Sequence, residues 1–586
     1  MKKLCMLLCL CLVICGLPAF AQNEGDALLL PVFASIDSVE LLTAPMYFEY
    51  GGIKETNDIE VAFVNGVTDV PYVSAVTVCD ILNRVEELFD CAGYHLSCEK
   101  LEEEFNILIL SRENTANIAN MDFDGSTITF TDYNAFTANC GAVNPLDVVE
   151  GVDPNGGSDL YLFDHNSVMY RTGGSYTWDL SRYGIQMFWY GDTGYLPLQC
   201  VSDMLLSRIG LFALYSPSGV FLLNSVECDT GELYLQSEHF EKSRELTQFT
   251  YNELCMALDN TYGLREEHDI TSFSQLFIET GLAEKFLSSD AGDVYTGLAI
   301  LIGDIISDGH SVPLFQSWNT DKDPDSMENM EHLMAGALAS VGNMMYYSGA
   351  RAMYYPDYEV PGYSEVGDTA ILIFDKFSYD VERDYYDTEI TNNADDTIEL
   401  LAYANSQIRR EGSPIKNVVI DLTNNGGGAI DAAAGLISWV VGSTSISLTD
   451  NVTHASGTVS YLFDANLDRE LDENDYLISM ASDDYHVYCL ISPYSFSCAN
   501  LVPAYLKASH RVTLIGRPTT GGACPVFYLS TADGSGFCLS GPWKMNTYNN
   551  GIFYTVEQGV EPHVYIDKIE HLYDREYLTE LIATLP

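Results

Sequence analysis

The stretch YSFSCANLVPAYLKASHRVTLIGRPTTGGACPV, residues Tyr494 to Val526, places a cluster of small residues between a strand and a helix. The apolar run at 487–492 that precedes it predicts a strand, and the apolar spacing over 499–508 predicts a helix. A second strand, Val512 to Gly516, then leads into a glycine-rich turn. The pattern therefore puts a serine where a strand ends and a helix begins.

Another glycine-rich turn follows an earlier strand, in the segment VVIDLTNNGGGAIDAAAGL that begins at Val418. From Thr369 onward, strand-like and helix-like segments alternate, which is typical of an α/β layer structure. The wholly apolar run 418–420 suits a strand buried on both faces. No Gly-Lys-Ser/Thr follows the glycines, so the turn lacks the spacing of a phosphate loop.

The beginning of the chain carries an export signal. Residues 1–21 combine two lysines, an apolar run and a small-x-small ending, which predicts a cleaved secretory signal peptide. No later apolar run is long enough to span a bilayer. We therefore expect an exported protein located outside the cell, at its surface or in the periplasm.

Three further segments differ in pattern. Short alternating runs predict β-rich modules, and the likeness of YVSAVTVCDIL at Tyr72 to YLPLQCVSDML at Tyr195 indicates a duplicated unit. Helical spacing then gives way to the α/β alternation, which contains an acidic insertion. The predicted domains are β-rich modules at 22–225, a helical subdomain at 226–310, and an α/β core at 311–586 with the insertion at 443–485.

Composition excludes several classes of partner. The 586 residues carry 84 acidic and 27 basic side chains, for a net charge of −57, and 47% of them are hydrophobic. Such a chain is folded and acidic, which argues against nucleic-acid or anionic-membrane partners and favours cationic ones. Eleven cysteines follow residue 21, and this odd number is not a complete disulfide framework. Pairing of Cys498 with Cys524 remains open.

Three fragments together resemble a known family. They are DLTNNGGG at Asp421–Gly428, SFSCAN at Ser495–Asn500 and GRPTTGG at Gly516–Gly522. Their order resembles the core of the carboxyl-terminal-processing (tail-specific) serine peptidases and their tricorn-like relatives, over roughly Tyr234 to the C-terminus. This resemblance implies an α/β, ClpP/crotonase-like core, preceded here by the helical segment and the amino-terminal β-rich modules.

The resemblance also implies a nucleophile and an oxyanion hole. It places the nucleophile at Ser497, not at Ser495 or Ser492, and the oxyanion donors at the N–H groups of Gly428 and Cys498. A serine just before a helix N-terminus lies beside unpaired N–H groups and the positive end of the helix dipole. The alternative interpretation is that Ser497 only caps the helix of residues 499–508.

The general base is where this sequence departs from the family. Tail-specific peptidases use a lysine, which the resemblance places at the position of Gly522. The tricorn-like branch uses a histidine and a late glutamate, and this sequence offers His310 in IISDGHSVPLF and Glu557 in YTVEQGVEPHVYI. The resemblance thus implies His310 as base and then acid, with Glu557 as charged or hydrogen-bonding support. The competing side chains are His510, His563, Lys507 and Lys544.

The expected lack of a PDZ domain is the second departure from the family. Fewer than sixty residues separate His310 from the strand at Thr369, with no Gly-Leu-Gly-Phe-like loop. We therefore expect no PDZ domain for binding free C-termini.

An acidic loop predicts a calcium site. DANLDRELDENDY spaces oxygen donors as EF-hand and dockerin loops do, although Arg469 replaces the turn glycine. Catalysis as inferred needs no cofactor, so calcium here is structural; the alternative is an acidic surface insertion. The candidate ligands are Asp464, Asn466, Asp468, Glu470 through its carbonyl, and Asp475.

The leading hypothesis is a secreted serine peptidase that cleaves polypeptide through an acyl-enzyme. The main alternative is a catalytically inactive peptidase-like module that binds a surface partner, for which the missing lysine is the best argument. A third hypothesis is an adhesion or cell-wall protein that depends on calcium.

Overall fold

The computed structural model describes residues 24–50, 52–88, 95–100, 106–112, 117–137, 163–166, 175–355, 360–380, 383–442, 444–478, 484–549 and 552–585. The predicted signal peptide at 1–21 lies outside these residues. None of the helices in the described ranges combines the length and hydrophobicity that a bilayer crossing requires.

A six-stranded sheet forms the centre of the C-terminal half. Its first two strands are antiparallel and all later neighbours are parallel. The alternating pattern from Thr369 onward therefore produced the predicted α/β layer structure. In spatial order the strands are Tyr363–Val366, Thr369–Ile373, Asn417–Asp421, His486–Ile491, Val512–Gly516 and Val564–Tyr565.

Helices cover both faces of this sheet, because its central strands are apolar on both sides. One face packs against the helices Thr397–Ile408, Ile430–Val441 and Cys498–Ala508. The other face packs against the end of the helix Met327–Ala352 and the helix Arg575–Ile582. The run Val418–Ile420 is fully buried between these layers, as its composition predicts.

The amino-terminal region is β-rich, as predicted. A seven-stranded sheet has the order Phe188–Tyr190, Thr193–Pro197, Val67–Ser74, Ile53–Val64, Val39–Tyr50, Gly219–Leu223 and Phe212–Ser216. A five-stranded antiparallel sheet has the order Leu96–Lys100, Ile107–Arg112, Ile118–Asp122, Thr127–Phe130 and Tyr176–Asp179. Short α-helices lie at Tyr133–Thr137 and Leu198–Val201, with a π-helix at Ser202–Leu206 and 3-10 turns at Glu24–Leu28, Ser181–Tyr183 and Ser207–Ile209.

The two similar fragments lie side by side. The strand Val67–Ser74 runs into the helix Ala75–Leu88, and the strand Thr193–Pro197 runs into the helix Leu198–Val201. The two strands pair antiparallel, and Val73 lies opposite Leu196, the residue that aligns with it in sequence. Antiparallel pairing alone does not establish a duplication, so the duplicated unit stays a prediction.

The helical region joins the amino-terminal sheets to the core. Side chains of Ser243, Ser272 and Asp290 accept N–H bonds at three of its helix N-termini. The apolar segment at 296–306 forms the end of an α-helix that continues directly into a π-helix. The elements are Asp229–Leu235, Arg244–Thr261, Phe273–Thr280, Ala283–Phe286, Ala291–Ile300 and the π-helix Leu301–Ile306.

Two small sheets complete the architecture. A three-stranded sheet has the order Val312–Phe315, Gly536–Ser540 and Val526–Ser530. The sheet that contains the acidic insertion has the order Ile552–Thr555, Trp543–Asn549, Thr444–Asp450, Ser456–Phe463 and Phe163–Asn166, with 3-10 turns at Glu473–Asp475 and, near the C-terminus, Ile569–Leu572. Its last strand comes from the amino-terminal region, so this sheet crosses the predicted domain boundary.

Candidate active site

Ser497 lies between a core strand and a helix in a strained backbone conformation. Its φ is 56° and its ψ is −124°, a region that residues with a side chain seldom adopt and that costs roughly 1–3 kcal/mol. Its N–H donates to the Gly521 carbonyl at 2.9 Å, and its own carbonyl accepts the N–H of Leu501 at 2.9 Å. The hydroxyl makes no capping hydrogen bond, so the helix-cap interpretation of this serine does not describe its side chain.

The neighbouring serines have structural bonds that Ser497 lacks. The Ser495 hydroxyl donates to the Leu422 carbonyl at 2.8 Å, and the Ser492 hydroxyl donates to the Thr423 carbonyl at 2.7 Å. Both side chains are buried, whereas Ser497 is half-buried. Of these three serines, only Ser497 keeps its hydroxyl without a hydrogen-bond partner within the described residues.

The glycine turn lies directly against Ser497. A Cβ atom on Gly427 would lie 2.8 Å from the Ser497 Cβ and 3.2 Å from its Oγ. The Asn425 side chain accepts the Gly427 N–H at 2.8 Å, which fixes the turn. Glycine at 427 and 428, with φ of 115° and 135°, is thus required both by conformation and by close approach.

Phe377 fixes the other side of the turn. Its N–H donates to the Gly427 carbonyl at 3.0 Å, and its carbonyl accepts the Ala429 N–H at 2.8 Å. The Cys498 thiol donates to the Gly428 carbonyl with an S···O distance of 3.1 Å. The peptide that carries the Gly428 N–H is therefore held between Phe377 and the first residue of the helix after Ser497.

His310 lies at the end of the helical region and is buried. Its ring packs against the Phe496 ring, with centroids 4.7 Å apart and planes at 51°. Burial lowers the pKa of His310, and the nearby Asp308 carboxylate opposes that effect. Among the described residues the imidazole makes no hydrogen bond, neither with Ser497 nor with a carboxylate, and its Nδ1 is buried.

Phe496 also fills the space beside Gly522. A Cβ atom on Gly522 would lie 2.7 Å from the Phe496 ring and 2.9 Å from the Ser497 nitrogen. On the other side of the ring, a Cβ on Gly309 would lie 2.8 Å from it. The aromatic ring therefore occupies the place into which a longer side chain at 522 would extend.

Glu557 contacts the turn that holds Ser497. Its Oε2 accepts the Ala523 N–H at 2.7 Å, and its carbonyl lies 2.0 Å from where a Cβ on Gly521 would be. Burial raises the pKa of Glu557, while the bond from Ala523 and the charge of Lys544 lower it. Its side-chain bond is to Ala523, two residues after the Gly521 carbonyl that accepts the Ser497 N–H, and not to the imidazole.

Asp308 organises the backbone around His310. One carboxylate oxygen accepts the N–H groups of His310 at 3.1 Å and Ser311 at 2.8 Å. The other accepts the hydroxyl groups of Ser311 and Tyr262, both at 2.9 Å. This carboxylate therefore fixes the loop that carries the histidine.

Three of the four competing side chains have other partners. Lys507 donates to the Glu561 carbonyl, and Lys544 pairs with Glu267. His563 accepts the Leu514 N–H at 2.9 Å through Nδ1. None of these three contacts Ser497 within the described part of the chain.

Several motif residues have a structural role that sequence reasoning left unassigned. The Thr519 hydroxyl donates to Asn500 at 2.6 Å and accepts the Val560 N–H at 2.7 Å. The Asn500 amide donates to the Val556 carbonyl at 2.8 Å. The sequence signal for these roles was that Asn500 belongs to the SFSCAN fragment and Thr519 to the GRPTTGG fragment. Phe496 lay in the same fragment, but its contact with His310 depends on distant parts of the chain.

The two cysteines of this region remain thiols. Cys498 and Cys524 are both buried thiols, and the Cys498 thiol donates to the Gly428 carbonyl. No disulfide links them.

The acidic loop is closed by bonds between its carboxylates and its own backbone. Asp464 accepts the Arg469 N–H at 2.8 Å and the Tyr386 hydroxyl at 2.9 Å, and Asp475 accepts the Ala465 N–H at 3.0 Å. Burial raises the pKa of both carboxyls, that of Asp475 to about 6. In the described residues, no three His, Cys, Asp or Glu side chains are placed to hold a metal ion. Calcium binding here stays a prediction.

Part of the C-terminal half matches a known family. Residues 388–566 match the model of peptidase family S41. This interval contains Ser497, Gly428 and Glu557, whereas His310 precedes it. No curated protein matches the chain.

Three solved structures illustrate the likeness. A candidate peptidase from Parabacteroides merdae is 14% identical, with a TM-score of 0.41 over 58% of this chain and 97% of that one. A lipoprotein from Streptococcus agalactiae is 14% identical, with a TM-score of 0.33 over 58% and 96%. The photosystem II D1 C-terminal processing protease is 18% identical, with a TM-score of 0.25 over 34% and 42%. The match places a peptidase family S41 domain at residues 388–566 and supports a serine-type peptidase, for which polypeptide is the substrate.

Proposed function

We propose that this protein is an exported serine peptidase in which Ser497 is the nucleophile and His310 the general base. The observation that carries the proposal is the position of Ser497: a strained residue at a helix N-terminus, with its hydroxyl beside Gly427 and without a hydrogen bond in the described residues. Strain of this kind is found where function fixes the backbone. The helix dipole and the turn amides favour an oxyanion at this point.

The reaction would proceed through an acyl-enzyme. The Ser497 oxygen attacks the scissile carbonyl carbon while His310 takes the hydroxyl proton. The carbonyl oxygen becomes an oxyanion that accepts the N–H groups of Gly428 and Cys498. His310 then gives the proton to the leaving amine, and a water molecule later releases the acyl group by the same steps in reverse order.

Positioning of the imidazole differs from that in a Ser-His-Asp triad. No carboxylate accepts a hydrogen bond from the ring of His310 within the described residues, and the Phe496 ring packs against it instead. The fixed backbone at Asp308 and the Phe496 ring therefore orient the base. Glu557 supports the serine from the other side, through Ala523 and Gly521.

Labelling with a fluorophosphonate probe tests the nucleophile. Wild type should be labelled, Ser497→Ala should not be, and Ser495→Ala, a matched change two residues away, should retain labelling if it folds. His310→Ala should slow labelling by a factor of about 10²–10⁴. Labelling that persists in Ser497→Ala would remove this residue from the mechanism.

Export of the protein and the alternative of a catalytically inactive module are tested by separate experiments. The signal peptide predicted at residues 1–21 is the support for export, and detection of the mature protein outside the cytoplasm with a new N-terminus near Gln22 would test it. If pure wild type neither reacts with the probe nor cleaves an unfolded protein, the peptidase-like binding module becomes the better hypothesis.

A further inference from the structure

The helix Met327–Ala352 is exposed along most of its length although it carries many apolar residues. Of its 26 residues, only Asn329, Tyr347 and Ala350 are buried. Leu338 and Met345 are 64% and 67% exposed. Large exposed apolar surfaces on a folded protein indicate a binding site for a partner.

The C-terminal half of this helix is bonded to elements of the candidate active site. The Ser348 hydroxyl donates to Asn424 of the glycine turn at 2.9 Å, and the Asn343 amide donates to the Pro493 carbonyl at 3.3 Å, just before the serine loop. Closer to the middle of the helix, Gly336 lies against Gly303 in the π-helical segment that leads to His310. The helix therefore packs against the glycine turn and against the residue that precedes the serine loop.

One flank of the helix extends from Ser348 as an apolar stripe. Positions 4, 7, 14 and 18 residues before Ser348 lie on the same side of an α-helix as Ser348 itself. They are occupied by Met344, Val341, Met334 and Met330, which we call the methionine stripe. Its three methionines are 38%, 48% and 41% exposed, in the order Met344, Met334 and Met330.

The length and chemistry of the stripe fit an extended polypeptide. From residue 330 to 348 the helix rises about 27 Å, the length of about eight residues of extended chain. The stripe carries no charge in a chain whose net charge is −57, so it is suited to apolar side chains. Methionine is flexible and polarisable, and surfaces rich in it accept varied apolar sequences.

We propose that the methionine stripe binds the apolar side chains of an unfolded polypeptide substrate and guides it towards Ser497. The proposal rests on the proposed peptidase function and adds the substrate class: extended chains rich in apolar residues. Continuity with the glycine turn and the serine loop favours this occupant over a second copy of the chain or a membrane.

Binding is measured in the Ser497→Ala background, so that the substrate is not consumed. The probe is fluorescein-labelled, reduced and carbamidomethylated α-lactalbumin, which is unfolded, followed by fluorescence anisotropy. Met334→Gln with Met344→Gln should raise the dissociation constant at least tenfold. Met334→Leu with Met344→Leu should stay within about threefold of the parent, because apolar contact is kept. Thermal unfolding of each variant verifies folding.

A matched control lies on the opposite flank of the helix. Tyr346 and Met353 are 54% and 65% exposed and point away from the side of Ser348. Changing both to Gln should alter the dissociation constant less than twofold. An equal loss of binding in this control, or no loss in the stripe variant, would overturn the proposal.

The other occupants and the dependence on function are separable. A wild-type dimer that the stripe variant dissociates in sedimentation equilibrium would assign the stripe to a second copy and overturn the proposal. The proposal would also be overturned if wild type cosedimented with phosphatidylethanolamine–phosphatidylglycerol vesicles and the stripe variant did not. A further outcome is that wild type fails to react with the fluorophosphonate while Ser497→Ala still binds the labelled α-lactalbumin through the stripe. In that case the proposed catalysis fails and the docking surface stands.

Discussion

Replacing Gly428 by alanine should impair both the fold and the chemistry of the serine site. The new Cβ would lie 2.1 Å from the Phe377 carbonyl oxygen and 3.0 Å from its nitrogen, both main-chain atoms. Because those atoms belong to backbone, the two segments must separate by more than an ångström to reach ordinary contact. The φ of 135° adds strain for any residue with a side chain.

The magnitudes follow from these two effects. Backbone strain and overpacking together should lower the free energy of unfolding by about 2–5 kcal/mol. Displacement of the Gly428 N–H removes one proposed oxyanion donor, worth ~3 kcal/mol of transition-state stabilisation. The second-order rate constant of fluorophosphonate labelling should therefore fall by a factor of about 10² in the folded variant.

Gly426→Ala is the matched control for this experiment. Its Cβ would lie 3.1 Å from the Tyr494 hydroxyl, the free end of a side chain that can rotate away. Urea unfolding and labelling rates should both stay close to wild type. If folded Gly428→Ala is labelled as fast as Gly426→Ala, the Gly428 N–H is not an oxyanion donor and the reasoning is wrong.

Three other predictions concern charge. Because burial lowers the pKa of His310, the rate of fluorophosphonate labelling should rise with pH through a pKa below 6.5 and level off above it. Protonation of the buried ring also costs stability, so the free energy of unfolding should fall as the pH drops from 6.5 to that lowered pKa. Lys242→Met should lower the free energy of unfolding by about 3–5 kcal/mol, since the fully buried Asp533 carboxylate 2.7 Å away loses its cation, and adding Asp533→Leu should recover most of the loss. If the acidic loop binds calcium, millimolar CaCl₂ should raise the Tm of wild type but not of Asp464→Asn, and an equal rise in both would exclude a site at Asp464.

Most of the strands and helices of the core that could be predicted from sequence were predicted from local motifs. The strand Val512–Gly516 has the predicted bounds, and the helix after Ser497 begins at Cys498, one residue earlier than expected. These elements were predictable because apolar period and turn glycines are local properties of the chain. The family fragments then fixed their order, and the match to peptidase family S41 confirms it.

Contacts between distant segments were beyond this reasoning. The pairing of the strand Phe163–Asn166 with Ser456–Phe463 joins regions assigned to separate domains. The contact of Phe496 with His310 likewise depends on how the helical region packs on the core. Neither partner carries a sequence signal for the other, because such contacts follow from the packing of whole elements.

By itself, the sequence determined that a serine stands between strand and helix, beside a glycine turn that only residues without a side chain can form. Tertiary structure decided which of the three serines keeps its hydroxyl without a structural bond, since the bonds of Ser492 and Ser495 lead to carbonyls some seventy residues away. It also decided that the helix Met327–Ala352 contacts the glycine turn while many of its apolar residues are exposed to solvent. The physical reason is that periodicity records which side of an element is apolar, whereas burial depends on what the rest of the chain places against that side.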